Sequence, residues 1–422
     1  MIHADRVLVL VGLALVVLGL SSRLVKRHSL SPVLLALGAG VAVGPHALDL
    51  LDPEAVVPRA DLLEQLARVA LALSVFDIAL RTDPRDLWDN RWRLAVLLGA
   101  LMPAMWLLTG LGAALVLGLP VAVAAVLGAV LTPTDPAVAS ALVTGVTPNR
   151  LLPRRVRMSL QLEAGANDGL ALPFVLLAGL LATRPGDEVA GAWAAEAGRE
   201  LGIALVVGAV LGLLMRWLTD LAGVERLAEE DWFPLASTGV SLTVLGAAHL
   251  LGGSGILAAF VAGLLFSEGL PDELRRPIHT VHRSVAKVAL TVVFLAFGTV
   301  LPIDAWWPLL GAGGVVFAVW ALVLRRLPAA YPLLRLTSTG PVSAAFMGWS
   351  GPLGVAAIYY LAFIERYDIE HAERVFVAGS LAIAVSVLGQ ALTSTHVVHA
   401  YRRIVGEEVP EGESLEVEGP LP

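Results

Sequence analysis

Apolar windows of near twenty residues, the length that crosses the hydrocarbon of a bilayer, recur along the chain with no stretch left over for a soluble domain. About thirteen are predicted, at approximately 5 to 22, 30 to 48, 61 to 80, 94 to 118, 119 to 145, 154 to 182, 198 to 218, 233 to 251, 254 to 270, 284 to 302, 304 to 328, 340 to 365 and 373 to 401. The first is followed by Arg23, Lys26 and Arg27 and has no small-residue cleavage site, so it reads as a retained helix and not a signal peptide.

Two of these spans are interrupted. Span five carries Thr132-Pro133-Thr134-Asp135-Pro136, and span twelve carries Gly348, Gly351, Pro352 and Gly354 in one stretch. Proline removes a backbone donor and clashes with the preceding turn. Residues 132 to 136 are therefore expected to unwind, freeing carbonyls and the Thr134 hydroxyl, oxygens of the kind that ligate hard cations. An odd number of spans fits two six-helix units of opposite orientation joined by one extra helix, a division that pairs span five with span twelve. Matching interruptions in two inverted halves point to a binding site between them. The predicted fold class is all-α and polytopic, with two inverted six-helix repeats and two broken crossing helices.

Span six places Glu163, Asn167 and Asp168 within an apolar window. Residues four apart share a helix face, so Glu163 and Asn167 point the same way, with Asp168 one position round. A carboxylate at membrane depth costs several kcal/mol even on lenient insertion scales, and such groups usually touch an ion, a proton or a partner charge. Asp135 is expected to compensate the positive end of a half-helix, and Thr134 to reach the ion. Thr-Asp-Pro alone could equally be a helix cap inside a packed bundle.

Composition agrees with the pattern: 57% of the 422 residues are hydrophobic, 15% are charged and the mean hydropathy is +0.78. There is no Cys, which excludes disulfides, thiolate metal sites and thiol redox chemistry. The net charge of -7 owes much to Glu407, Glu408, Glu411, Glu413, Glu416 and Glu418, so residues 405 to 422 read as an acidic, disordered cytoplasmic tail. Of the 29 Lys and Arg residues, 22 fall on one side of the predicted topology. The other seven are Arg6, Arg59, Arg68, Arg184, Arg199, Arg366 and Arg374. By the positive-inside rule the N-terminus is outside and the C-terminus cytoplasmic.

The weaker candidates have ordinary readings. His279 and His282 could sense pH, but solvated histidines without a role are commoner. His396 and His399 have metal-like spacing and no third ligand nearby. Gly38, Gly40 and Gly44 do not spell a dinucleotide fingerprint and are expected to let helices pack closely. Asp77 is expected to pair with a basic residue.

With Thr134-Asp135-Pro136 and Asn167-Asp168-Gly169 in order, the chain resembles the monovalent cation:proton antiporters of family one, the sodium/proton exchangers. The likeness extends over Ser31 to Pro45, Phe76-Asp77, Gly255 to Leu265, Phe294 to Gly298 and Gly348-Trp349. It implies the sodium/proton antiporter fold over residues 1 to 404, with a dimerisation part at approximately 1–93 and 198–302 and a mobile core part at approximately 94–182 and 304–404. It also implies that Asp168 binds the ion, with Asn167, Glu163, Thr134 and Asp135 around it, and that Glu163 pairs with Arg326. Arg326 is one of the 22 basic residues assigned to the cytoplasmic side, and it lies inside only if span eleven runs on to Arg335. Asn167 stands where electrogenic relatives carry a second aspartate, which implies electroneutral exchange. Two departures stand out: Ala164 replaces a serine hydroxyl common in relatives, and the Trp349 to Gly354 stretch, Leu353 included, lacks the arginine many carry there.

The expected function is exchange of a monovalent cation for H+ across the plasma membrane by competition for Asp168 with alternating access. Sodium is the first choice, with lithium or potassium also accepted, and the cation is held at Asp168 and Thr134. No cofactor, enzyme activity or nucleic-acid partner is expected; the partners are the bilayer and a second copy in a homodimer. The alternatives are an organic-anion/sodium symporter of the same architecture and, much less favoured, an intramembrane aspartyl protease using Asp135 and Asp168.

Overall fold

The computed structural model describes residues 2–20, 31–52, 54, 57–82, 84–135, 152–222, 232–268, 270 and 272–405. Among these residues the chain is helical throughout, without a strand. The helices are α1 (Ile2–Leu20), α2 (Pro32–Val43), α3 (Arg59–Leu80), α4 (Arg91–Leu117), α5 (Val121–Val130), α6 (Arg154–Leu170), α7 (Leu172–Thr183) and α8 (Gly186–Ala222). They continue with α9 (Trp232–Leu250), α10 (Gly255–Ser267), α11 (Asp272–Thr299), α12 (Ile303–Val323), α13 (Leu327–Arg335), α14 (Pro341–Trp349), α15 (Val355–Ile364) and α16 (Ala372–Val405). A short helix, Pro84–Asp89, precedes α4. The acidic tail, Pro136 and the remainder of span five lie outside the described residues.

Among the described residues six stretches are long and apolar enough to cross a membrane: Arg91–Leu117, Arg154–Thr183, Gly186–Thr219, Pro277–Thr299, Ile303–Arg335 and Ala372–Val405. Shorter apolar helices lie in six of the other predicted windows, and α3 occupies the window 61 to 80. Two helices start well before their apolar windows. α8 begins at Gly186 and α11 at Asp272, because their first turns carry charged residues such as Asp187, Glu188 and Glu273. These lower hydropathy without breaking a helix, and acids suit a helix N-terminus.

Small residues set the closest helix approaches, as expected where lipid supplies no hydrophobic drive between helices. A Cβ on Gly208 or Gly212 of α8 would meet the carbonyls of Ala258 or Ala262 of α10, at 2.6 and 2.7 Å. Gly40 packs in the same way against Leu295 and Gly298 of α11, while Gly38 has no neighbour at that distance. Helix α3 lies at the centre, against α10, α11 and α15. Its Asp77 pairs with Arg81 at 2.6 Å, the structural role expected of it.

The two interrupted spans meet. α5 ends at Val130 and residues 132–135 are non-helical; α14 ends at Trp349 and residues 351–354 are non-helical before α15. The Asp135 N–H donates to the Pro352 carbonyl at 2.9 Å, joining the two breaks. Span eleven is divided as well, between α12 and α13, and the division holds Arg325 and Arg326. Both are buried, so counting them as loop charges is corrected: the span continues to Arg335. The charge asymmetry survives without them.

Candidate functional site

Helix α6 brings Glu163, Asn167 and Asp168 inward, all at most 1% exposed, and each side chain meets a different fate. Glu163 is held by Arg326 in a two-pronged ion pair, Nη1 to Oε1 at 2.5 Å and Nη2 to Oε2 at 2.8 Å. Fork-to-fork geometry of this kind is the strongest a carboxylate makes with arginine, and it occupies both oxygens of Glu163. Asn167 reaches the unwound stretch: its Nδ2 donates to Thr134 Oγ1 at 2.7 Å and its Oδ1 accepts from the Thr134 N–H at 3.4 Å. Asp168 differs from both. Neither of its carboxylate oxygens is hydrogen-bonded by any described protein group, and both are buried.

Asp135 caps a half-helix. Its Oδ2 accepts the N–H of Val355, the first residue of α15, at 2.6 Å. The negative charge therefore sits at the positive end of that helix, as its sequence context implied. Gly354 makes the approach possible, since a Cβ there would collide with the Asp135 carboxylate. The break in span twelve is further satisfied by α16: Ser386 Oγ accepts from the Leu353 N–H at 2.9 Å, and Gln390 Nε2 donates to the Trp349 carbonyl at 2.8 Å.

Two of the carbonyls expected to be freed by the unwinding, those of Thr132 and Pro133, are not free. Arg325 Nη1 donates to the carbonyls of Leu131, Thr132 and Pro133 at 2.8, 3.1 and 3.4 Å, and Nη2 donates to that of Gly351. The unwinding was legible from the prolines, but the residue that absorbs its oxygens comes from a span far along the chain. Arg325 was passed over although two adjacent arginines inside the window 304 to 328 were a usable signal. The Thr134 hydroxyl, too, is engaged, by Asn167.

Tyr360 of α15 is a second residue not singled out from the sequence. Its hydroxyl donates to the backbone carbonyl of Asp168 at 2.6 Å. The same ring lines a cavity of about 310 Å³ with Tyr359, Leu172, Glu200, Arg199 and Arg366. Arg68, Arg199 and Arg366, three of the sparse arginines, line this cavity, and Tyr360 is the side chain it shares with the Asp168 backbone. His282 is fully buried, with Nε2 against the Leu73 carbonyl at 2.9 Å and Nδ1 3.3 Å from the Thr238 hydroxyl, an arrangement of a core histidine and not a solvated one.

Interrupted spans crossing beside a buried carboxylate, in a helical bundle with an apolar exterior, define a secondary transporter of the discontinuous-helix class. The family model described as "Sodium/hydrogen exchanger, transmembrane" matches residues 11–400. The chain belongs to this family of monovalent cation:proton antiporters and is a multi-pass membrane protein. It is 29% identical over 339 residues to a Na(+)/H(+) antiporter of Schizosaccharomyces pombe, covering 78% of this chain and 72% of that one. It is also 29% identical over 348 residues to the K(+)/H(+) antiporter NhaP2 of Shewanella oneidensis, covering 78% of this chain and 56% of that one. Other fungal relatives are longer still, and the chain spans 34% of the Saccharomyces cerevisiae Na(+)/H(+) antiporter. The solved sodium proton antiporter MjNhaP1 of Methanocaldococcus jannaschii shares the fold, with a TM-score of 0.74 at 18% identity over 94% of this chain and 99% of that one.

Proposed function

We propose that the protein exchanges a monovalent cation for H+ by letting the two compete for Asp168. The observation that carries this is the buried carboxylate with no hydrogen-bond partner among the described residues. Leaving a bare charge there costs several kcal/mol, so the side chain gains by holding either a proton or a cation, and each displaces the other. Glu163 cannot serve in its place, because Arg326 occupies both its oxygens. Asn167 contributes no second charge, and one carboxylate that takes up one proton or one monovalent cation favours electroneutral exchange.

The relatives named as Na(+)/H(+) and K(+)/H(+) antiporters support sodium and potassium as the two candidates. Sodium remains the first choice. Neutral oxygens near one carboxylate suit a monovalent ion and lack the charge that calcium sites gather. Thr134 is the candidate for a supporting oxygen, since its hydroxyl keeps a lone pair after accepting from Asn167. Coupling follows if the carboxylate crosses only when proton- or cation-loaded, with the core part, approximately 94–182 and 304–404, moving past 1–93 and 198–302. A homodimer is the expected assembly. The exposed apolar face of α1, with Leu8, Val9, Leu13, Val16 and Leu20, is available to lipid or to a second copy. The distribution of Lys and Arg supports a plasma-membrane orientation with the N-terminus outside and the C-terminus in the cytoplasm.

Purified protein in acid-loaded vesicles with a pH-sensitive dye tests the reading. Sodium, lithium and potassium are added in turn, and the membrane potential is clamped in a parallel run. Cation-dependent loss of the pH gradient that persists under the clamp is expected. Proteolysis of a test substrate without any gradient, or sodium uptake without proton movement, would support the protease or the symporter instead.

A further inference from the structure

We propose that Arg325 is a positioning residue for exchange, a single cation that neutralises the carbonyl ends of both interrupted spans and fastens them together. The inference rests on the exchange reading above. A helix C-terminus carries about half a negative charge, concentrated on its last unsatisfied carbonyls. Two such ends meet where the spans cross, at Leu131 to Pro133 after α5 and at Gly351 after α14. Arg325 donates to the carbonyls of all four residues. Its Nε takes the Ala321 carbonyl at 3.3 Å, within its own span. The side chain is 2% exposed, and among the described residues no carboxylate forms an ion pair with it.

The neighbouring arginine shows the contrast. Arg326, equally buried, spends its charge on Glu163 and gives its Nε to the Met347 carbonyl. Arg325 makes its hydrogen bonds to backbone carbonyls alone among the described residues, and feels the charges of Glu163 and Arg326 without an ion pair to either carboxylate oxygen. Burying a full charge without its own ion pair is unfavourable unless the partial charges around it add up, and two helix ends aimed at one guanidinium supply such a sum. Asp135 is the counterpart of opposite sign, at the N-terminal end of α15. The crossing is thus balanced by one anion and one cation, which leaves the Asp168 carboxylate as the charge that changes with its load. Because Arg325 grips both breaks, the two spans are expected to move as one body when the site switches sides.

Sodium-driven proton flux in vesicles tests this with Arg325→Lys, Arg325→Gln and the double variant Arg325→Gln/Leu353→Arg, which returns a guanidinium to the same crossing from span twelve. Arg325→Gln keeps hydrogen-bond donors and loses the charge. Its maximal rate is expected to fall about tenfold to a hundredfold, the range of a charge-assisted hydrogen bond, with little change in the apparent KM for sodium. Arg325→Lys is expected to keep more than about a tenth of the wild-type rate, and the double variant to recover about tenfold over Arg325→Gln. Wild-type rates in Arg325→Gln would overturn the proposal, as would an Arg325→Lys no better than Arg325→Gln. If Arg325→Gln and the double variant fail to fold, Arg325→Lys decides by the same one-tenth threshold. Asp168→Asn runs alongside: activity there removes the exchange reading itself, whereas an inactive Asp168→Asn beside an unimpaired Arg325→Gln removes only the role of Arg325.

Discussion

Glu163, Asp135 and Asp168 have the same chemistry and three different environments, and the environments assign their roles. Glu163 is a closed ion pair, so Glu163→Gln leaves Arg326 buried and unpaired. A loss of about 3–5 kcal/mol is expected for breaking such a pair, read as a fall in the thermal unfolding midpoint of the purified protein. Because the cost comes from the orphaned charge, removing both partners together as Glu163→Leu/Arg326→Leu should destabilise less than Glu163→Gln alone. A double variant less stable than the single one would contradict that account. Asp135→Asn keeps a hydrogen-bond acceptor for the Val355 N–H and loses the charge, so a folded protein with severely reduced exchange is expected. The sequence made these residues visible, because ionisable groups in apolar windows are few and their spacing on α6 puts them on neighbouring faces. Their partners were harder to see: Arg326 was reached by resemblance, and Arg325, its neighbour, was missed.

At the scale of elements, the breaks in spans five and twelve follow from Pro133, Gly351, Pro352 and Gly354, residues that cannot continue a hydrogen-bonded helix or that leave room beside it. That much was legible in the chain. What fills the breaks was not, since proline and glycine announce unsatisfied backbone groups without saying who satisfies them. In the fold they are met by Arg325, Asn167, Ser386 and Gln390, from three other spans. Helix α15 depends on one close approach, that of Asp135 to the backbone at Gly354 and Val355. Gly354 is in an extended conformation open to any residue, with φ at -161°, so the demand is for space alone. Gly354→Ala is therefore expected to push the carboxylate off the helix end and lower exchange about tenfold or more, the scale of a charged hydrogen bond. Flux assays on protein of unchanged thermal stability separate this from unfolding, and wild-type flux would show that the helix-end charge is dispensable.

For the whole molecule, the succession of spans and the lopsided placement of Lys and Arg were readable from the chain, while the ends of α8 and α11 were not, because charged helical turns look like loops to a hydropathy window. The cavity beside Tyr360 also lay beyond sequence reasoning, being assembled from α3, α7, α8, α9, α10 and α15. Its lining by three of the sparse arginines predicts that it faces outside. The absence of cysteine makes that easy to check. Glu196→Cys, on the cavity wall, should be labelled by a membrane-impermeant thiol reagent added from outside, with loss of exchange, and labelling from the cytoplasmic side alone would reverse the orientation. Competition for one carboxylate is the claim on which all of this depends, and it is tested most directly by measuring the apparent KM for sodium in vesicles over a range of pH, with Asp168→Asn in parallel. The account predicts a KM that weakens by about tenfold for each unit of falling pH once the site is mostly protonated, as mass action requires of two ligands sharing one group, and no cation-dependent flux in Asp168→Asn. A KM that ignores pH, or an Asp168→Asn protein that transports like the wild type, would contradict it.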